Sequence, residues 1–384
     1  MTPTHRWILL LAVVCVGATL ANNVLIHVQV VIRHGDRAAQ DYFATDDSAR
    51  VLFRGLGELS DDGIDNAHKQ GLDFKKKYVD TGFINASYIP SEIVFRASAV
   101  PRVLMSAGSF SNALFRKTPE GGYPIIPPIM TKEYKDDALL APALDCEDGW
   151  DDIVDAMKLP NSTNVAGQSL NKMESEMWPE SCKDVPSEKV DAIIAELPNK
   201  AIKMSDPYVN CAKDPARKFM YEYLELLGGS GSHRNEMRLK RTVGLLTNEL
   251  LANINTTAAC KFDNDCLKKN PKMRVYYSHD VNVLALSDVF DSISKFENVN
   301  PAFSSALVFE LYRNSATGYH YVHVLLKNGQ DAEFVDTGLC ETKEGCHIDA
   351  FRARAKKFAI QEPMPCDHTQ AEKAKKEEEE KNKQ

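Results

Sequence analysis

The sequence lacks an excess of basic residues, which excludes one large class of partners. Lysine and arginine number 46 against 54 aspartates and glutamates, giving a formal net charge of −8. Proteins that hold a nucleic-acid backbone neutralise its phosphates with abundant lysine and arginine. We therefore expect no nucleic-acid partner, although an acidic protein can still gather positive charge in one cleft.

Metal-binding cysteine motifs and long apolar segments are also missing. No C-x-x-C pair occurs and no histidine lies at zinc-ligand spacing from a cysteine pair, so we expect no metal and no cofactor. Beyond residue 21 no apolar stretch is long enough to span a bilayer, and the end of the chain carries no anchor signal. We expect no membrane anchor, and a disordered charged tail over residues 367–384.

The N-terminal segment has the features of an export signal. His5 and Arg6 precede an apolar stretch from Trp7 to Val16, and small residues follow up to Ala21. The stretch is too short to span a bilayer comfortably, which favours a cleaved signal peptide over residues 1–21. The sequence thus predicts a secreted protein, with the lysosomal lumen as the alternative because both destinations use the same entry signal.

Cysteines and glycosylation sequons agree with export. Eight of the nine cysteines remain once Cys15 leaves with the signal, and an even number in an oxidising compartment suggests four disulfides. Eight cysteines allow 105 pairings, although the close pairs Cys260/Cys266 and Cys340/Cys346 would each close a small loop. Three sequons mark candidate glycosylation sites: Asn85, Asn161 and Asn255.

Strand and helix patterns alternate along most of the chain. Residues 23–33 and 92–98 are predicted strands, and a predicted helix follows each of them. Ser60 is the expected N-cap of the first helix, and Pro101 begins the second helix. Another strand at 274–278 leads into an apolar helix, and a pair of strands follows. The alternation predicts an α/β fold whose central, mostly parallel sheet is flanked by helices.

The composition changes in the middle of this pattern. From about residue 117 to 235 the chain is rich in proline and acidic residues and has weak strand character. We interpret this range as a smaller, mostly helical cap inserted into the α/β domain. The domain itself would then comprise residues 22–116 and 236–366.

Polar side chains follow three predicted strands, at or just beyond the point where each strand ends. They are Arg33, His34, Arg37, Arg102, His279 and Asp280. Ligands of open α/β sheets bind beyond the carboxyl ends of the strands. We therefore expect these six side chains to surround one crevice.

This combination of side chains suits phosphate-ester chemistry. Arginine grips phosphate oxygens with a planar donor fork and keeps its charge. Neighbouring cations disfavour protonation of a histidine, so His34 would stay a nucleophile in acid and could accept a phosphoryl group. Asp280 could then protonate the leaving alkoxide, an effect worth about 10²–10⁴ in rate.

The motifs that carry these residues resemble those of the histidine acid phosphatases. "RHGDRAA" is similar to the R-H-G-x-R-x-P signature of that family, and His279-Asp280 matches its second motif. "RVLMSAGSF" resembles the segment with the third phosphate-binding arginine, and "GLGELSDDG" resembles the stretch that follows the signature in animal members. The resemblance spans about residues 23–366 and is to the secreted and lysosomal prostatic-type branch.

The resemblance implies a role for each of the six residues. It implies His34 as nucleophile, Asp280 as proton donor, and four phosphate ligands: Arg33, Arg37, Arg102 and His279. It further implies a phosphoglycerate mutase-like fold, a small phosphate ester as substrate, and a homodimer. Likeness also implies the bridges Cys146–Cys366 and Cys340–Cys346, and Cys182–Cys211 and Cys260–Cys266 complete the predicted set.

One position departs from the family signature, because Ala39 stands where the signature has proline. Proline would stiffen the loop without adding a functional group, so we expect a softer loop and altered specificity rather than lost chemistry. Two alternatives remain at this point: a phytase-like or lysophospholipid phosphatase, and a secreted non-catalytic binding protein. A phytase would need a lysine-rich pocket, and a non-catalytic protein would be expected to lack at least one of the six residues.

Overall fold

The strands of the sheet form where β-branched and aromatic residues are concentrated. The computed structural model describes residues 23–115, 125–141, 180–185, 189–213, 215–340 and 342–364. The strands within these ranges are β1 (Asn23–Arg33), β2 (Ile93–Ala97), β3 (Ile129–Met130), β4 (Met273–Ser278), β5 (Ala306–Asn314), β6 (His320–Lys327), β7 (Val335–Asp336) and β8 (Cys346–His347).

The helices follow the predicted alternation and fill both faces of the sheet. They are α1 (Asp46–Val51), α2 (Asp61–Phe74), α3 (Pro101–Leu114), α4 (Val190–Glu196), α5 (Asp206–Lys213), α6 (Pro215–Gly228), α7 (Glu236–Ala259), α8 (Asn264–Lys268), α9 (Asp280–Val289) and α10 (Ile348–Lys356). Ser60 caps α2 by accepting from the Gly63 N–H, and Pro101 occupies the start of α3, where its missing N–H has no cost.

The sheet has a parallel half and an antiparallel half that meet at β1. Its order is β3-β2-β4-β1-β5-β6-β7, with β8 also paired to β6. β1 runs parallel to β4 and antiparallel to β5. Strands β1 to β4 are joined in parallel, so their carboxyl ends lie at one edge. The predicted α/β fold with a helix-flanked central sheet is confirmed, and the pairing of β5 with β6 extends it as an antiparallel hairpin.

β1 is buried on both faces, which explains its almost continuous apolar sequence. Val28, Val30 and Ile32 face a core completed by residues of α2 and α3. Val31 and Ile26 face the other core, which α7, α9 and α10 complete. Full burial of an aliphatic side chain contributes about 1.5–3 kcal/mol, so β1 is fixed firmly from both sides.

The described part of the proposed cap has a small core of its own. Val185, Ile193 and Phe219 belong to it, together with the disulfide-bonded Cys182 and Cys211. Helix α6 also turns Tyr221 and Leu224 into the larger core beside α9. Strand β3 lies inside the range 117–235 but pairs with β2, so this range contributes an edge strand to the main sheet.

Three disulfides join described cysteines: Cys182–Cys211, Cys260–Cys266 and Cys340–Cys346, with Cα–Cα distances of 4.9, 5.4 and 4.8 Å. The predicted Cys146–Cys366 bridge, the Asn161 sequon, the signal peptide at 1–21 and the tail at 367–384 lie outside the described residues. Among the helices of the described ranges, none has both the length and the apolar character needed to cross a bilayer.

Candidate active site

The pairing of β1 with β4 brings the two histidine motifs together. Arg33 at the end of β1 is aligned with Ser278 at the end of β4, and the two strands run in the same direction. The His34 N–H then donates to the Ser278 carbonyl at 3.1 Å. The rings of His34 and His279 consequently lie 5.9 Å apart between centroids. Two motifs separated by most of the chain therefore share one crevice because of strand register.

Hydrogen bonds fix the orientation of the His34 ring. Its Nδ1 lies 2.9 Å from the Gly35 carbonyl oxygen, and since a carbonyl only accepts, we assign the proton to Nδ1. The lone pair is then on Nε2, which accepts from the Nε–H of Arg102 at 3.3 Å. Burial lowers the pKa of His34 well below its usual value, and the charges of Arg102 and the other arginines lower it further. His34 is therefore neutral at pH values at which an ordinary histidine is already protonated.

The loop that carries His34 rests directly on the start of α2. A Cβ atom on Gly35 would lie 2.6 Å from the Gly63 carbonyl oxygen, a distance that no side chain tolerates. The Gly35 N–H donates to Ser106 Oγ at 2.9 Å, and Ser106 Oγ donates in turn to the Arg102 carbonyl at 2.7 Å. This chain of contacts sets His34 against the first turn of α3.

Arg102 projects from that first turn towards His34. Its NH1 also donates to the Gly57 carbonyl at 3.3 Å, which gives the "GLGELSDDG" segment a place in the site. Burial lowers the pKa of Arg102 to about 10, and the charge of Arg37 acts in the same direction. The guanidinium therefore stays charged in the whole acid range.

His279 and Asp280 begin α9. The His279 N–H donates to Asn282 Oδ1 at 3.2 Å, and His279 Nε2 lies 3.2 Å from Ser98 Oγ. Burial lowers the pKa of His279 to about 4, with a further contribution from the charge of Arg102. His279 is thus neutral in mild acid and can act as a hydrogen-bond donor without adding charge.

Asp280 forms an ion pair with Arg33 at 2.7 Å. Burial alone would raise the pKa of Asp280, but the charges of Arg33 and Arg37 outweigh it and hold this pKa below its usual value. The carboxylate also accepts the Val281 N–H at 2.9 Å. In the free site Asp280 is therefore ionised.

Phe303 lies against the cationic side of the site. The Arg33 guanidinium stands 4.1 Å from its ring centroid, the Arg37 guanidinium 5.9 Å, and the ring of His34 5.8 Å. The Nε atoms of both arginines are buried, and neither has a hydrogen-bond partner among the described residues. These two N–H groups could therefore donate to acceptor atoms from outside the chain.

Arg37 also forms an ion pair with a carboxylate of the proposed cap. Its NH1 and NH2 donate to the two oxygens of Asp191 at 3.0 and 2.8 Å. The same carboxylate accepts the Gln40 N–H at 2.8 Å. Burial would raise the pKa of Asp191, but the charge and hydrogen bonds of Arg37 keep it below the usual value. Asp191 is an ionised member of the site.

All six residues predicted from the sequence lie together, and the structure adds neighbours that the sequence did not reveal. Ser98 comes directly after β2, so the rule applied to the other strand ends could have found it. Asp191 and Phe303 gave no comparable signal, because neither follows a strand end or belongs to a recognisable motif.

A polar cavity of about 740 Å³ adjoins the site at Arg33 and Phe303. Other cations of its lining are Lys69, Lys200 and Arg217, and its carboxylates are Asp36, Asp62 and Asp331. Positive and negative groups are therefore nearly balanced in this cavity. Within the described ranges, no group of three or more histidine, cysteine, aspartate or glutamate side chains is arranged to hold a metal ion.

Comparison with known proteins identifies the family of the chain. The family profile described as "Histidine phosphatase superfamily (branch 2)" matches residues 24–192 and 208–327. Prostatic acid phosphatase of Mus musculus is 26% identical over 369 residues, covering 89% of this chain and 88% of its own. Its Homo sapiens counterpart is 24% identical over 352 residues, covering 84% and 83%.

A solved structure shows the same fold. The phytase from Citrobacter braakii superposes with a TM-score of 0.57 and 14% sequence identity, covering 88% of this chain and 98% of the phytase. At this identity the likeness concerns the fold alone. The family resemblance predicted from the sequence is confirmed by the profile, which covers well over half of the chain. The chain therefore belongs to branch 2 of the histidine phosphatase superfamily.

Proposed function

We propose that this protein is an acid phosphatase that hydrolyses small phosphate monoesters through a phosphohistidine on His34. The observation that carries the proposal is the state of His34, a buried neutral imidazole with its Nε2 lone pair directed at the Arg102 guanidinium. A neutral nucleophile surrounded by fixed cations suits attack on a phosphate ester in acid.

The reaction would proceed in two displacements. His34 Nε2 attacks phosphorus, the bond from phosphorus to the ester oxygen breaks, and Asp280 gives its proton to the departing oxygen. Water then attacks the phosphohistidine and returns a proton to Asp280, the bond from nitrogen to phosphorus breaks, and inorganic phosphate leaves. Arg33, Arg37, Arg102 and His279 would hold the phosphate oxygens in both steps.

Substrate binding would itself prepare Asp280 as the acid. In the free site Asp280 is paired with Arg33 and ionised. A phosphate bound to Arg33 places negative charge beside Asp280 and engages the cation that stabilises its ionised form. Both changes favour uptake of a proton by Asp280. The proposed reaction uses only side chains and needs no metal or cofactor.

The charge of the adjoining cavity supports a small ester rather than a highly phosphorylated ring. Its lysines and arginines are nearly matched by Asp36, Asp62 and Asp331, which would repel a polyanion. Phytase-like activity is therefore disfavoured as the main function, and a lysophospholipid phosphatase remains within the proposed ester class. The retention of all six site residues argues against a non-catalytic protein.

The proposal also includes export of the protein from the cytosol. We propose a secreted glycoprotein, or a lysosomal one, that forms a homodimer. Asn85 is exposed, and its Oδ1 accepts the Ser87 N–H at 2.8 Å. Asn255 lies in α7, and its Oδ1 accepts from Arg352 Nε at 2.7 Å.

Trapping the intermediate tests the proposed mechanism. The enzyme is mixed with a ³²P-labelled ester at low temperature, quenched in alkali, in which phosphohistidine survives, and digested. We expect label on the peptide that contains His34 and none in His34→Ala, whereas the matched surface variant His233→Gln keeps it. Label on another peptide, or label that persists in His34→Ala, would overturn the mechanism.

The acid phosphatase assignment has a simpler test. Hydrolysis of p-nitrophenyl phosphate should peak in the acid range, survive EDTA, and be inhibited by vanadate and by tartrate-like dicarboxylates. Absence of hydrolysis at every pH, from protein that is folded and binds phosphate, would instead favour the non-catalytic alternative.

A further inference from the structure

We infer that Asp191 is a positioning residue for phosphate binding, acting through Arg37, so that the proposed cap completes the active site. This inference rests on the proposed function. Asp191 belongs to α4, whose sequence carries no catalytic motif, yet its carboxylate is bonded to the guanidinium of a predicted phosphate ligand.

The atoms used in this ion pair leave one side of the Arg37 guanidinium unused. NH1 donates to the Ala38 carbonyl and to Asp191, and NH2 donates to Asp191. The buried Nε–H has no partner in the described part of the chain. Arginine binds oxyanions through paired donors, and the Nε–H with the second NH2 hydrogen forms such a pair. Asp191 thus holds one end of the guanidinium and leaves the other for phosphate.

The cap segment 189–196 also fixes the signature loop, residues 34–45, at three backbone positions. Asp191 accepts the Gln40 N–H at 2.8 Å. The buried Glu196 accepts the Ala44 N–H at 3.0 Å, and Lys189 donates to the Phe43 carbonyl at 2.8 Å. The segment therefore holds both the side chain of Arg37 and the backbone that follows it.

These contacts concern Ala39, the position at which the chain departs from the family signature. Ala39 is fully buried, and its carbonyl accepts the Gly57 N–H at 2.6 Å. Burial raises the pKa of Glu196, and the Ala39 N–H acts in the opposite direction. Proline has no N–H, so it could not supply this effect. The cap carboxylates thus supply a restraint on this loop where the family signature has a stiff residue.

An ion pair with Arg37 could act in a second way, as a competitor that phosphate must displace. The two roles predict opposite effects on affinity. Loss of a positioning carboxylate weakens phosphate binding, whereas loss of a competitor strengthens it. The backbone bond from Gln40 and the free Nε–H of Arg37 favour positioning, because Asp191 is held independently of Arg37 and does not occupy the whole guanidinium.

The test compares Asp191→Asn and Asp191→Ala with the control Asp184→Asn, an exposed carboxylate in the same part of the chain. The measurements are kcat and KM for p-nitrophenyl phosphate, the inhibition constant of inorganic phosphate, and Tm. We expect Asp191→Ala to lower kcat/KM by about 10²-fold and to weaken phosphate inhibition, because a guanidinium misplaced by about 1 Å costs this much. Asp191→Asn keeps one acceptor oxygen and should be affected less, and the control should match the wild type.

A double-mutant cycle shows whether Asp191 acts through Arg37. In an Arg37→Ala background, Asp191→Ala should have no further effect on phosphate inhibition. Tighter phosphate inhibition in Asp191→Ala, or a lowered Tm with unchanged kinetics, would overturn the inference. Such results would leave the proposed function intact as long as His34→Ala abolishes the labelled intermediate, so the two failures are distinguishable.

Discussion

The carboxylate of Asp280 lies 2.7 Å from the guanidinium of Arg33, so the proposed proton donor is paired with a proposed phosphate ligand. An acid that is ionised before substrate arrives cannot donate a proton until its surroundings change. In the proposed mechanism, phosphate would make that change by binding to Arg33. Proton uptake and anion binding should therefore be linked in this site.

Binding of sulfate should be accompanied by proton uptake at about pH 5. Sulfate carries two negative charges and does not titrate at this pH, so a proton taken up must go to the protein. The pKa of Asp280 is held low in the free site, and a bound anion beside it would raise this pKa, so we expect net proton uptake of at most one proton per site. Calorimetry in buffers with different ionisation enthalpies measures it. Asp280→Asn should bind sulfate without this uptake, and equal uptake in that variant would contradict the linkage.

The leaving group should determine how much Asp280 contributes to catalysis. Nitrophenolate leaves almost without protonation, whereas an alkoxide needs a proton from a general acid. We expect Asp280→Ala to reduce kcat for an alkyl phosphate by about 10²–10⁴-fold and for p-nitrophenyl phosphate by much less. Steady-state kinetics on both esters provides the comparison. Equal losses on the two esters would remove the proton-donor role.

Ser106 should affect catalysis although it reaches no substrate atom. Its hydroxyl accepts the Gly35 N–H and donates to the Arg102 carbonyl. In Ser106→Ala the buried Gly35 N–H loses its acceptor, which costs about 1–3 kcal/mol of stability. We also expect a lower kcat, since His34 and Arg102 lose their common restraint. Urea unfolding measures the loss of stability, and steady-state kinetics measures kcat.

Ser111→Ala is the matched control for this change. Ser111 is equally buried in α3, but its hydroxyl donates to the Gly108 carbonyl of the same helix. This variant should keep the wild-type kcat. A Ser106→Ala enzyme with unchanged kcat would show that the connection between Gly35 and Arg102 has no catalytic importance.

His27 should make the protein less stable in acid. It is buried in β1, where its Nδ1 lies 2.9 Å from the Pro271 carbonyl, and burial lowers its pKa to about 4. Between pH 6.5 and about 4, His27 therefore binds a proton in the unfolded chain but not in the folded chain. Stability is lost as the pH falls through this window. Within this window each pH unit changes the free energy of unfolding by about 1.4 kcal/mol. His27→Gln should therefore remove about 2 kcal/mol of the difference in stability between pH 7 and pH 5. Urea unfolding at both pH values measures this change.

Much of the site could be predicted because its signals are local. The residues 23–33 are apolar enough to identify a strand, and the strand observed is Asn23–Arg33. Ser60 and Pro101 are residues that helix starts prefer, and both occupy those positions. Strand ends in a parallel sheet share one edge, so His34 and His279 were expected at the same edge. Their closeness also depends on the pairing of β1 with β4.

The remaining features depend on contacts that no local pattern encodes. Asp191 meets Arg37 across 154 residues of sequence, and nothing near it distinguishes this aspartate from the other acidic residues of the same region. Strand β3 is two residues long, which is too short to show a period. Phe303 lies in a loop before β5, and its contact with Arg33 follows from the path of that loop.

Helix α6 constrains how the substrate can enter and leave. It belongs to the small core through Phe219 and to the large core through Tyr221 and Leu224. To swing outward as a lid, the helical insertion would have to expose Tyr221 and Leu224 to water, at about 1.5–3 kcal/mol for a side chain such as leucine. This cost makes an open form a minor population, so exchange of ester and product is expected to proceed mainly through motions of side chains and short loops at the rim.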